Sequence, residues 1–321
     1  MTSRGLHSDR AARGTPPVVA ITGASGYLGS VLATALGSAG YVVRRLIRSP
    51  AAASSDRSFD LRRSEPAAGL DGVDVLVHCA YDMTLTRRAD IWKVNVFGSV
   101  ALLDQAVASQ VPRTIVVSSM SAYPGTRQLY GQAKLAIEVA ARARGMRIVR
   151  PGLVYGPGWG GMAGTLHRLA ALPVLPDFGE RARQFTVSQE DFAAAMVALA
   201  GADDVRAVPV GIAHTDAVGF SALLTRFAAA RGTPPPRFVR VPAMAVYRAL
   251  RTLELLPVAL PVRADSLLGL IRPAREVPNP QILAGLGVDL RAFAVESDAD
   301  AGPSAGGRVV RPGNGSVAHP T

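Results

Sequence analysis

A tyrosine and a lysine four residues apart are the side chains of this sequence best suited to acid–base chemistry. They are Tyr130 and Lys134, in a stretch that predicts a helix over residues 129–144. Residues four apart share one helix face, and a nearby ammonium favours the phenolate, which lowers the pKa of a tyrosine toward a range useful for proton transfer. A surface pair at helical spacing is the structural alternative. The chain has only two lysines, Lys93 and Lys134, so a lysine at this offset favours the chemical interpretation.

A serine hydroxyl precedes this helix at the end of a predicted strand. Residues 113–118 form an apolar run, and Ser119 follows it eleven residues before Tyr130. A hydroxyl in this place could bind the oxygen that the tyrosine protonates. The adjacent Ser118 is interpreted as a structural strand residue.

Three glycines near the amino terminus predict a phosphate-binding turn. An apolar, strand-forming run from Val18 leads into Gly23, Gly26 and Gly29, and helix-forming residues follow. In a strand–turn–helix of this kind, the first glycine allows the turn and the second lets the backbone approach a pyrophosphate. The third permits close packing of the helix, whose amino terminus faces the phosphates. Because the chain contains 32 glycines, the pattern alone is only suggestive.

The predicted elements form two parts. Strands and helices alternate over residues 17–155, which predicts an α/β fold with a Rossmann-type doubly wound parallel sheet. Glycine and proline become frequent from Pro151 onward, and residues 156–296 are predicted to form a smaller C-terminal substrate-binding lobe. Residues 1–16 are predicted to be a flexible tail and residues 297–321 a disordered tail.

Composition narrows the class of protein. The chain has 321 residues, 49% hydrophobic and 18% charged, which suits a globular protein with a large core. Its formal net charge is +11, but the arginines are dispersed and no recognition module for nucleic acid is visible, so no nucleic-acid partner is expected. The single Cys79 indicates a reducing, cytoplasmic location, and no metal site is predicted. Without a secretory signal or an unbroken apolar span, no membrane partner is expected.

Four motifs in this order resemble the extended short-chain dehydrogenase/reductase superfamily, specifically its NAD(P)-dependent epimerase/dehydratase family. The resemblance covers residues 18–158. The motifs are Thr22 with Gly23, Gly26 and Gly29, then Ser119 followed by Tyr123, then Tyr130 with Lys134, and finally the run from Arg150 to Pro157.

The resemblance implies a role for each catalytic candidate. Tyr130 would be the general acid or base, and Lys134 would lower its pKa and hold the nicotinamide ribose. Ser119 would hydrogen-bond the reacting oxygen. Asn95 resembles the helix asparagine that supports the site in this family, with an ordinary polar residue on the helix surface as the alternative. His78 is not expected to be catalytic or to bind a metal, because no partner cluster accompanies it.

The resemblance also assigns a larger set to cofactor binding. This set is Gly23, Ser25, Gly26, Tyr27, Leu28, Gly29, Arg48, Asp60, Leu61, Cys79, Ala80, Tyr130, Lys134, Pro151, Gly152 and Val154. Arg48 is at the end of the second strand, where a positive charge accommodates the 2′-phosphate of NADP and an acid selects NAD. NADP is therefore favoured over NAD, although an arginine-rich chain places arginine at many positions. Asp60 and Leu61 match positions that contact the adenine.

The expected function is that of an NAD(P)-dependent oxidoreductase that transfers hydride to or from a carbonyl or alcohol of a small metabolite such as a nucleotide sugar. An NAD-retaining sugar-nucleotide epimerase and a non-catalytic NAD(P)-binding regulatory protein are the alternatives. Dehydration is disfavoured, because Met120 and Ser121 follow Ser119 where dehydratases of the family carry an acidic pair. The helices over residues 89–109 and 129–144 pair across a dimer in the family, so a homodimer is expected.

Overall fold

The computed structural model of the chain describes residues 14–49, 56–63, 69–203, 205, 207–254 and 262–295. The disordered tail predicted over residues 297–321, and all but the last three residues of the tail predicted over 1–16, lie outside this range. The fold predicted for the remainder is confirmed: the protein is α/β, with a parallel Rossmann-type sheet at its centre.

A sheet of seven strands forms the centre of the molecule, and three two-stranded pairings accompany it. The strands in the described residues are, in chain order, β1 (Val18–Thr22), β2 (Val42–Ile47), β3 (Arg57–Ser58), β4 (Val75–His78), β5 (Arg113–Val117), β6 (Arg147–Pro151), β7 (Leu153–Tyr155), β8 (Val174–Asp177), β9 (Arg183–Gln184), β10 (Thr186–Ser188), β11 (Pro209–Ile212), β12 (Val218–Gly219) and β13 (Arg237–Arg240). The large sheet has the order β11-β6-β5-β4-β1-β2-β3.

Helices cover both faces of this sheet and build the second lobe. They are α1 (Tyr27–Ser38), α2 (Arg88–Ile91), α3 (Phe97–Ala108), α4 (Leu129–Ala143), α5 (Gly161–Leu169), α6 (Gln189–Gly201), α7 (Phe220–Ala230), α8 (Ala243–Leu253), α9 (Ala264–Ile271) and α10 (Gln281–Gly285). A π-helical segment, Trp92–Val96, joins α2 to α3 without a break. Within the described residues, no helix combines the length and the apolar composition that crossing a bilayer requires.

The central strands are apolar because helices cover the sheet on both sides. Every residue of β4 and β5 is buried, as expected for a parallel sheet between two helix layers. The order of the strands reverses between β1 and β4, so the crevice beyond their carboxyl ends is the place where ligands bind in open α/β sheets. In that register Thr22 lies opposite His78, at the last position of both strands.

The second lobe has a core of its own, built from α5, α7 and α9 around Leu166, Phe227 and Leu270. It does not begin cleanly at residue 156, however. The segment from α6 to β11 returns to the large sheet, where β11 pairs with β6 and Phe192 of α6 packs in the same cluster as Leu36 of α1. The predicted division at residue 155 is corrected accordingly: residues 189–212 belong to the Rossmann part, and the lobe is built from the segments on either side of them.

Candidate active site

The glycine turn after β1 is shaped for close backbone approach. Gly23 has φ +67°, in the left-handed region that glycine tolerates without strain, and a Cβ on it would lie 3.0 Å from Cα of Ala80. A Cβ on Gly29 would lie 2.1 Å from the carbonyl oxygen of Gly23. Gly29 therefore lets the first turn of α1 pack on the glycine turn itself, rather than on the strand as the sequence suggested.

The amino terminus of α1 is open to solvent. Ser25 and Gly26 are exposed, no side chain caps the helix at Gly26, and its first turn carries no acidic residue. The first N–H groups of a helix attract anions, because the helix dipole places partial positive charge there. The cradle around Gly23 and Gly29 and this helix terminus fit the pyrophosphate of NAD(P), and Tyr27 and Leu28 lie half-buried beside them.

A second polar cluster at this edge joins β1 to β4. Thr22 Oγ1 accepts the N–H groups of Cys79 and Ala80, both at 3.1 Å, and lies 2.8 Å from His78 Nδ1. His78 Nε2 lies 2.8 Å from the hydroxyl of Ser99. Burial lowers the pKa of His78 to about 3, so the ring is neutral and serves as a fixed link between two hydroxyls. Burial also raises the pKa of the Cys79 thiol to about 12, which excludes a reactive thiolate.

Ser119 and Tyr130 meet as the sequence predicts. Ser119 follows β5, Tyr130 is the second residue of α4, and the Ser119 side chain lies close enough to the Tyr130 hydroxyl to influence its pKa. The Ser119 Oγ also accepts the N–H of Ser121 at 3.1 Å, which fixes its position. Both residues are partly exposed, so a ligand can reach the two hydroxyls.

Lys134 lies one helical turn beyond Tyr130 and is buried, with 5% of its surface exposed. Its ammonium donates to the carbonyl oxygen of Val117, at the end of β5, over 2.8 Å. The Nζ atom lies 5.8 Å from the centre of the Tyr130 ring and 4.8 Å from that of Tyr81. The lysine is thus held between the strand end and two aromatic rings, on the same side of α4 as the tyrosine.

The pKa of Tyr130 moves in the direction opposite to the one expected. Burial raises it to about 12, and the Ser119 side chain beside it opposes this rise. Burial lowers the pKa of Lys134 to about 8, while Cys79 and Glu138 oppose the change. The lowering of the Tyr130 pKa by Lys134 that the sequence suggested is therefore absent here, because desolvation of the phenolate dominates. Tyr130 is a phenol at neutral pH and hence a proton donor.

Asn95 lies in the π-helical segment and is completely buried. Its Oδ1 accepts the N–H of Asp82 at 2.7 Å, and its Nδ2 donates to the carbonyl oxygen of the same residue at 3.1 Å. The alternative of an ordinary surface residue is excluded by this burial. Asn95 fixes the loop that follows β4, and this loop carries Tyr81 against the candidate site.

Tyr81 is a site residue that sequence reasoning missed. Its ring meets that of Tyr130 edge-on, with centroids 5.0 Å apart and planes at 79°, and it lies under the Lys134 ammonium. The sequence did contain one hint of this role. Tyr81 comes two residues after Cys79, directly after the end of a strand, at the edge of the sheet where the ligand was expected. That position alone did not indicate contact with α4.

Asp265 was missed as well, because it is distant in sequence. It lies in the first turn of α9, and its carboxylate accepts the N–H groups of Leu129 at 2.7 Å and Tyr130 at 3.3 Å. The second lobe thus caps the helix that carries Tyr130 and Lys134. Burial raises the pKa of Asp265, while its two backbone hydrogen bonds oppose the rise.

The residues expected at the adenosine end lie near the ends of β2 and β3. Arg48 is exposed directly after β2. The Asp60 Oδ1 accepts the N–H of Arg62 at 3.0 Å, which closes a turn. Leu61 is buried in the core, and a Cβ on Gly98 would lie 2.4 Å from the Leu61 carbonyl oxygen. The Leu61 side chain therefore packs inside, and its backbone is what remains near the ligand edge.

The segment after β6 lies beside Ser119. The Pro151 carbonyl oxygen accepts the N–H of Met120 at 3.1 Å, and a Cβ on Gly152 would lie 2.5 Å from the carbonyl oxygen of Phe185. Val154 is buried in the main core, which leaves only its backbone for contact with a ligand. Over the part of the chain that the structure describes, no group of three or more His, Cys, Asp or Glu side chains could hold a metal ion.

Sequence comparison agrees with this geometry. The sequence model of the NAD dependent epimerase/dehydratase family matches residues 19–211, which span the glycine turn, Ser119, Tyr130, Lys134 and β11. The chain belongs to the NAD-dependent epimerase/dehydratase family. The family resemblance predicted from the sequence is thereby confirmed, and members of this family are described as NAD-dependent.

Three proteins are similar to this chain, two of them in sequence and one in structure. A ceramide reductase of Caulobacter vibrioides is 31% identical over 235 residues, covering 70% of this chain and 74% of the relative. A 4-hydroxy-2-methyl-3-oxo-4-farnesyl-3,4-dihydroquinoline-1-oxide ketoreductase of Stigmatella aurantiaca is 33% identical over 119 residues, covering 34% and 35%. The structure of Thermus thermophilus UDP-glucose 4-epimerase in complex with NAD superposes with TM-score 0.62 at 19% identity, covering 87% and 96%.

Proposed function

We propose that the protein is an NAD(P)-dependent carbonyl reductase that converts a ketone or aldehyde to an alcohol. The observation that carries this proposal is the placement of Ser119 beside Tyr130, with Lys134 one helical turn away, partly open to solvent at the carboxyl edge of the sheet. Two hydroxyls that converge on one point can hold a carbonyl oxygen and deliver a proton to it.

The protonation states favour the reductive direction. With its pKa raised to about 12, Tyr130 stays protonated through the neutral range and can donate the phenolic proton to the oxygen of the substrate. Ser119 donates a hydrogen bond to the same oxygen and stabilises negative charge as it develops there. Lys134, held by the Val117 carbonyl, stabilises the tyrosinate that remains. A bound NAD(P)H supplies the hydride in this chemistry.

The residues that would hold the cofactor are those of the glycine turn and the strand ends. Gly23, Gly26 and the first N–H groups of α1 would bind the pyrophosphate. Arg48 would bind the 2′-phosphate of NADP, and this charge supports the preference for NADP over NAD. Titration with NADPH and NADH tests the preference: Arg48→Ala should weaken NADPH binding and leave NADH binding unchanged. Tighter binding of NADH by the unaltered protein would refute it.

Two relatives support reduction rather than epimerisation. The ceramide reductase of Caulobacter and the dihydroquinoline-1-oxide ketoreductase of Stigmatella are, by their names, both reductases. The NAD-retaining epimerase remains the alternative, supported by the family's name. The cofactor content of the purified protein separates the two: tightly retained NAD would favour epimerisation, whereas exchangeable NADP would favour reduction.

Replacement of Tyr130 by Phe tests catalysis directly. The variant keeps the ring against Tyr81 but loses the proton donor, so NADPH-dependent reduction of a panel of long-chain and cyclic ketones should fall by about 10²–10⁴. Cofactor affinity and the melting temperature should be preserved, because only one partly exposed hydroxyl is removed. Activity unchanged by this substitution would overturn the proposed role and favour a non-catalytic cofactor-binding protein.

We also propose a homodimer formed through α3 and α4. Three large apolar side chains on these helices are exposed: Phe97 at 62%, Val107 at 54% and Val139 at 64%. Such exposure on two adjacent helices is typical of a surface that a partner covers. Light scattering of Phe97→Asp/Val139→Asp should show monomers where the unaltered protein is dimeric, and a monomeric unaltered protein would refute this assembly.

A further inference from the structure

The surface of the second lobe contains an area rich in arginine and aliphatic side chains. Its residues are far from the glycine turn in the sequence. Between residues 217 and 253 the sequence contains six arginines and no acidic residue. This excess is local, because elsewhere many arginines pair with acids, as Arg144 does with Asp104 and Arg150 with Glu138. The stretch forms α7, β13 and α8, so a large part of the net charge of +11 is carried by one part of the lobe.

The pairing of β8 with β13 gives this area its first half. In their parallel register Val174 lies opposite Arg237, and Pro176 lies opposite Val239. Side chains alternate between the two faces of a strand. Leu175 and Phe238 point into the core of the lobe, where both pack. Val174, Arg237 and Val239 therefore point outward. Val174 is 53% exposed and Val239 is 45% exposed, and Arg237 is exposed between them.

Helix α8 provides the second half. It starts three residues after β13 ends, and none of its residues is buried. Its half-buried side, which includes Val246 and Leu250, is its apolar stripe. Met244, Arg248 and Arg251 recur at helical spacing on another side, all exposed, with Met244 at 41%. Only Arg251 among them has an acidic partner, Glu254, at 3.2 Å.

We call these six exposed residues, on the paired strands β8 and β13 and on the helix that follows β13, the ribbon–helix face. It comprises Val174, Arg237, Val239, Met244, Arg248 and Arg251. We propose that the ribbon–helix face binds the surface of a lipid bilayer that contains anionic lipids. Arginines bind the lipid phosphates, and the aliphatic side chains between them enter the headgroup layer. The expectation of no membrane partner rested on the lack of a spanning segment, and surface binding does not require one.

The chemistry of the face favours a bilayer over other polyanions. A surface for single-stranded nucleic acid uses exposed aromatic rings for stacking, whereas the four aromatic residues of residues 217–253 are buried or half-buried: Phe220, Phe227, Phe238 and Tyr247. An acidic protein would be attracted by the arginines but would gain little from exposed Val174 and Val239 at the centre of a basic surface. On a bilayer, arginines can pair with the charged headgroups while the aliphatic side chains between them contact the boundary of the hydrocarbon layer.

Sedimentation of the purified full chain with lipid vesicles tests the proposal without reference to catalysis. Binding to phosphatidylcholine vesicles that contain phosphatidylglycerol should be at least about tenfold tighter than to phosphatidylcholine alone, and should weaken as salt is added. A chain that does not sediment with the anionic vesicles at low ionic strength would overturn the proposal.

Three paired substitutions locate the contact. Arg237→Glu/Arg248→Glu should lower the vesicle partition coefficient by at least about thirtyfold, since loss of each arginine near an anionic surface costs about fivefold and the new carboxylates add repulsion. The matched control, Arg63→Glu/Arg142→Glu, makes the same change in net charge at exposed residues of the Rossmann part and should leave binding nearly unchanged. Val239→Ser/Met244→Ser removes only the aliphatic contribution and should lower binding by about tenfold.

Two results of these variants would refute a bilayer contact. Equal loss in both glutamate pairs would show that net charge alone drives sedimentation. Full binding by the serine pair, together with equally tight binding of the unaltered chain to polyglutamate, would indicate an acidic protein partner instead. Because the substituted side chains are exposed, unchanged melting temperatures are expected and confirm that each variant is folded.

Discussion

Two clusters of similar composition lie at the same edge of the sheet, and each links hydroxyls to a titratable side chain. In one, Thr22, His78 and Ser99 are buried and hydrogen-bonded to one another, and the pKa of the histidine is lowered to about 3. In the other, Ser119 and Tyr130 lie side by side but stay partly exposed.

The difference shows that exposure, rather than the residue types, separates a structural cluster from a reactive one. A buried neutral histidine between two hydroxyls has both ring nitrogens occupied and no route for a proton to solvent or ligand. A serine and a tyrosine at the surface can accept a third oxygen between them. We therefore expect substitutions in the first cluster to change stability and substitutions in the second to change turnover.

After Tyr130→Phe, the largest expected effect is that of Ser119→Ala. Loss of one hydrogen-bond donor to a developing oxyanion lowers turnover by about 10²–10³, whereas the free energy of unfolding should change by less than about 1 kcal/mol because the site is half-open. The measurements are steady-state reduction and urea unfolding. The neighbouring Ser118→Ala is the matched control: its hydroxyl donates to buried Glu138, so it should lower stability and spare turnover.

His78→Leu is expected to have the next largest effect, but on stability rather than on turnover. It removes the histidine partner of both buried hydroxyls, so that Ser99 loses the contact to Nε2 and Thr22 keeps only the N–H groups of Cys79 and Ala80, at a cost of about 2–4 kcal/mol in the free energy of unfolding. Turnover of the folded fraction should be nearly unchanged. His214→Leu, at a partly exposed site, serves as the control. Should His78→Leu abolish turnover at full stability, the contrast between the two clusters would fail.

Lys134→Met changes how stability depends on pH. Burial lowers the pKa of Lys134 from 10.5 to about 8, so between these values the unfolded chain binds more protons than the folded one. Stability linked to this group therefore rises with pH through that window, by at most about 3 kcal/mol, and is constant below it. The difference in unfolding free energy between the unaltered protein and the variant should follow this rise. Parallel pH profiles for the two proteins would contradict the buried cation.

Asp265→Ala should give the smallest effect. It removes the acceptor for the first N–H groups of α4, which costs about 1 kcal/mol of stability, and it lowers turnover a few-fold because Tyr130 starts that helix. Asp265→Asn retains one acceptor oxygen and should restore most of both losses. Asp216→Ala, at an exposed aspartate, provides the baseline. Equal losses of stability and turnover in the Asn and Ala variants would show that these losses do not come from removal of the hydrogen-bond acceptor.

Much of the Rossmann part is predictable from the sequence, because its signals are local. The apolar runs predict β4 and β5 to within two residues at either end, and helix periodicity predicts α4 with one residue of difference at its end. Ser119 and Tyr130 come together because a strand end and the next helix meet at one sheet edge.

The features of the fold and the site that the sequence did not predict depend on contacts between residues that are far apart in the sequence. Asp265 reaches α4 across more than a hundred residues, and Tyr81 reaches it through a loop that Asn95 fixes. Neither contact leaves a periodic pattern in the sequence. The direction of the Tyr130 pKa was also mispredicted, because the spacing of Tyr130 and Lys134 contains no measure of desolvation. The lobe boundary was misplaced since glycine and proline mark where the chain leaves the sheet but not where it returns.

The return of the chain to the sheet has a consequence during synthesis. Because β11 is the outermost strand beside β6, the sheet is incomplete until residues 209–212 have left the ribosome, after the first segment of the second lobe, with α5, β8 and β9, has already emerged. Until then β6 is an unpaired, apolar edge, which is a template for wrong pairing with another nascent chain. Slow elongation after residue 151 should therefore favour aggregation, and slow elongation after residue 212 should not.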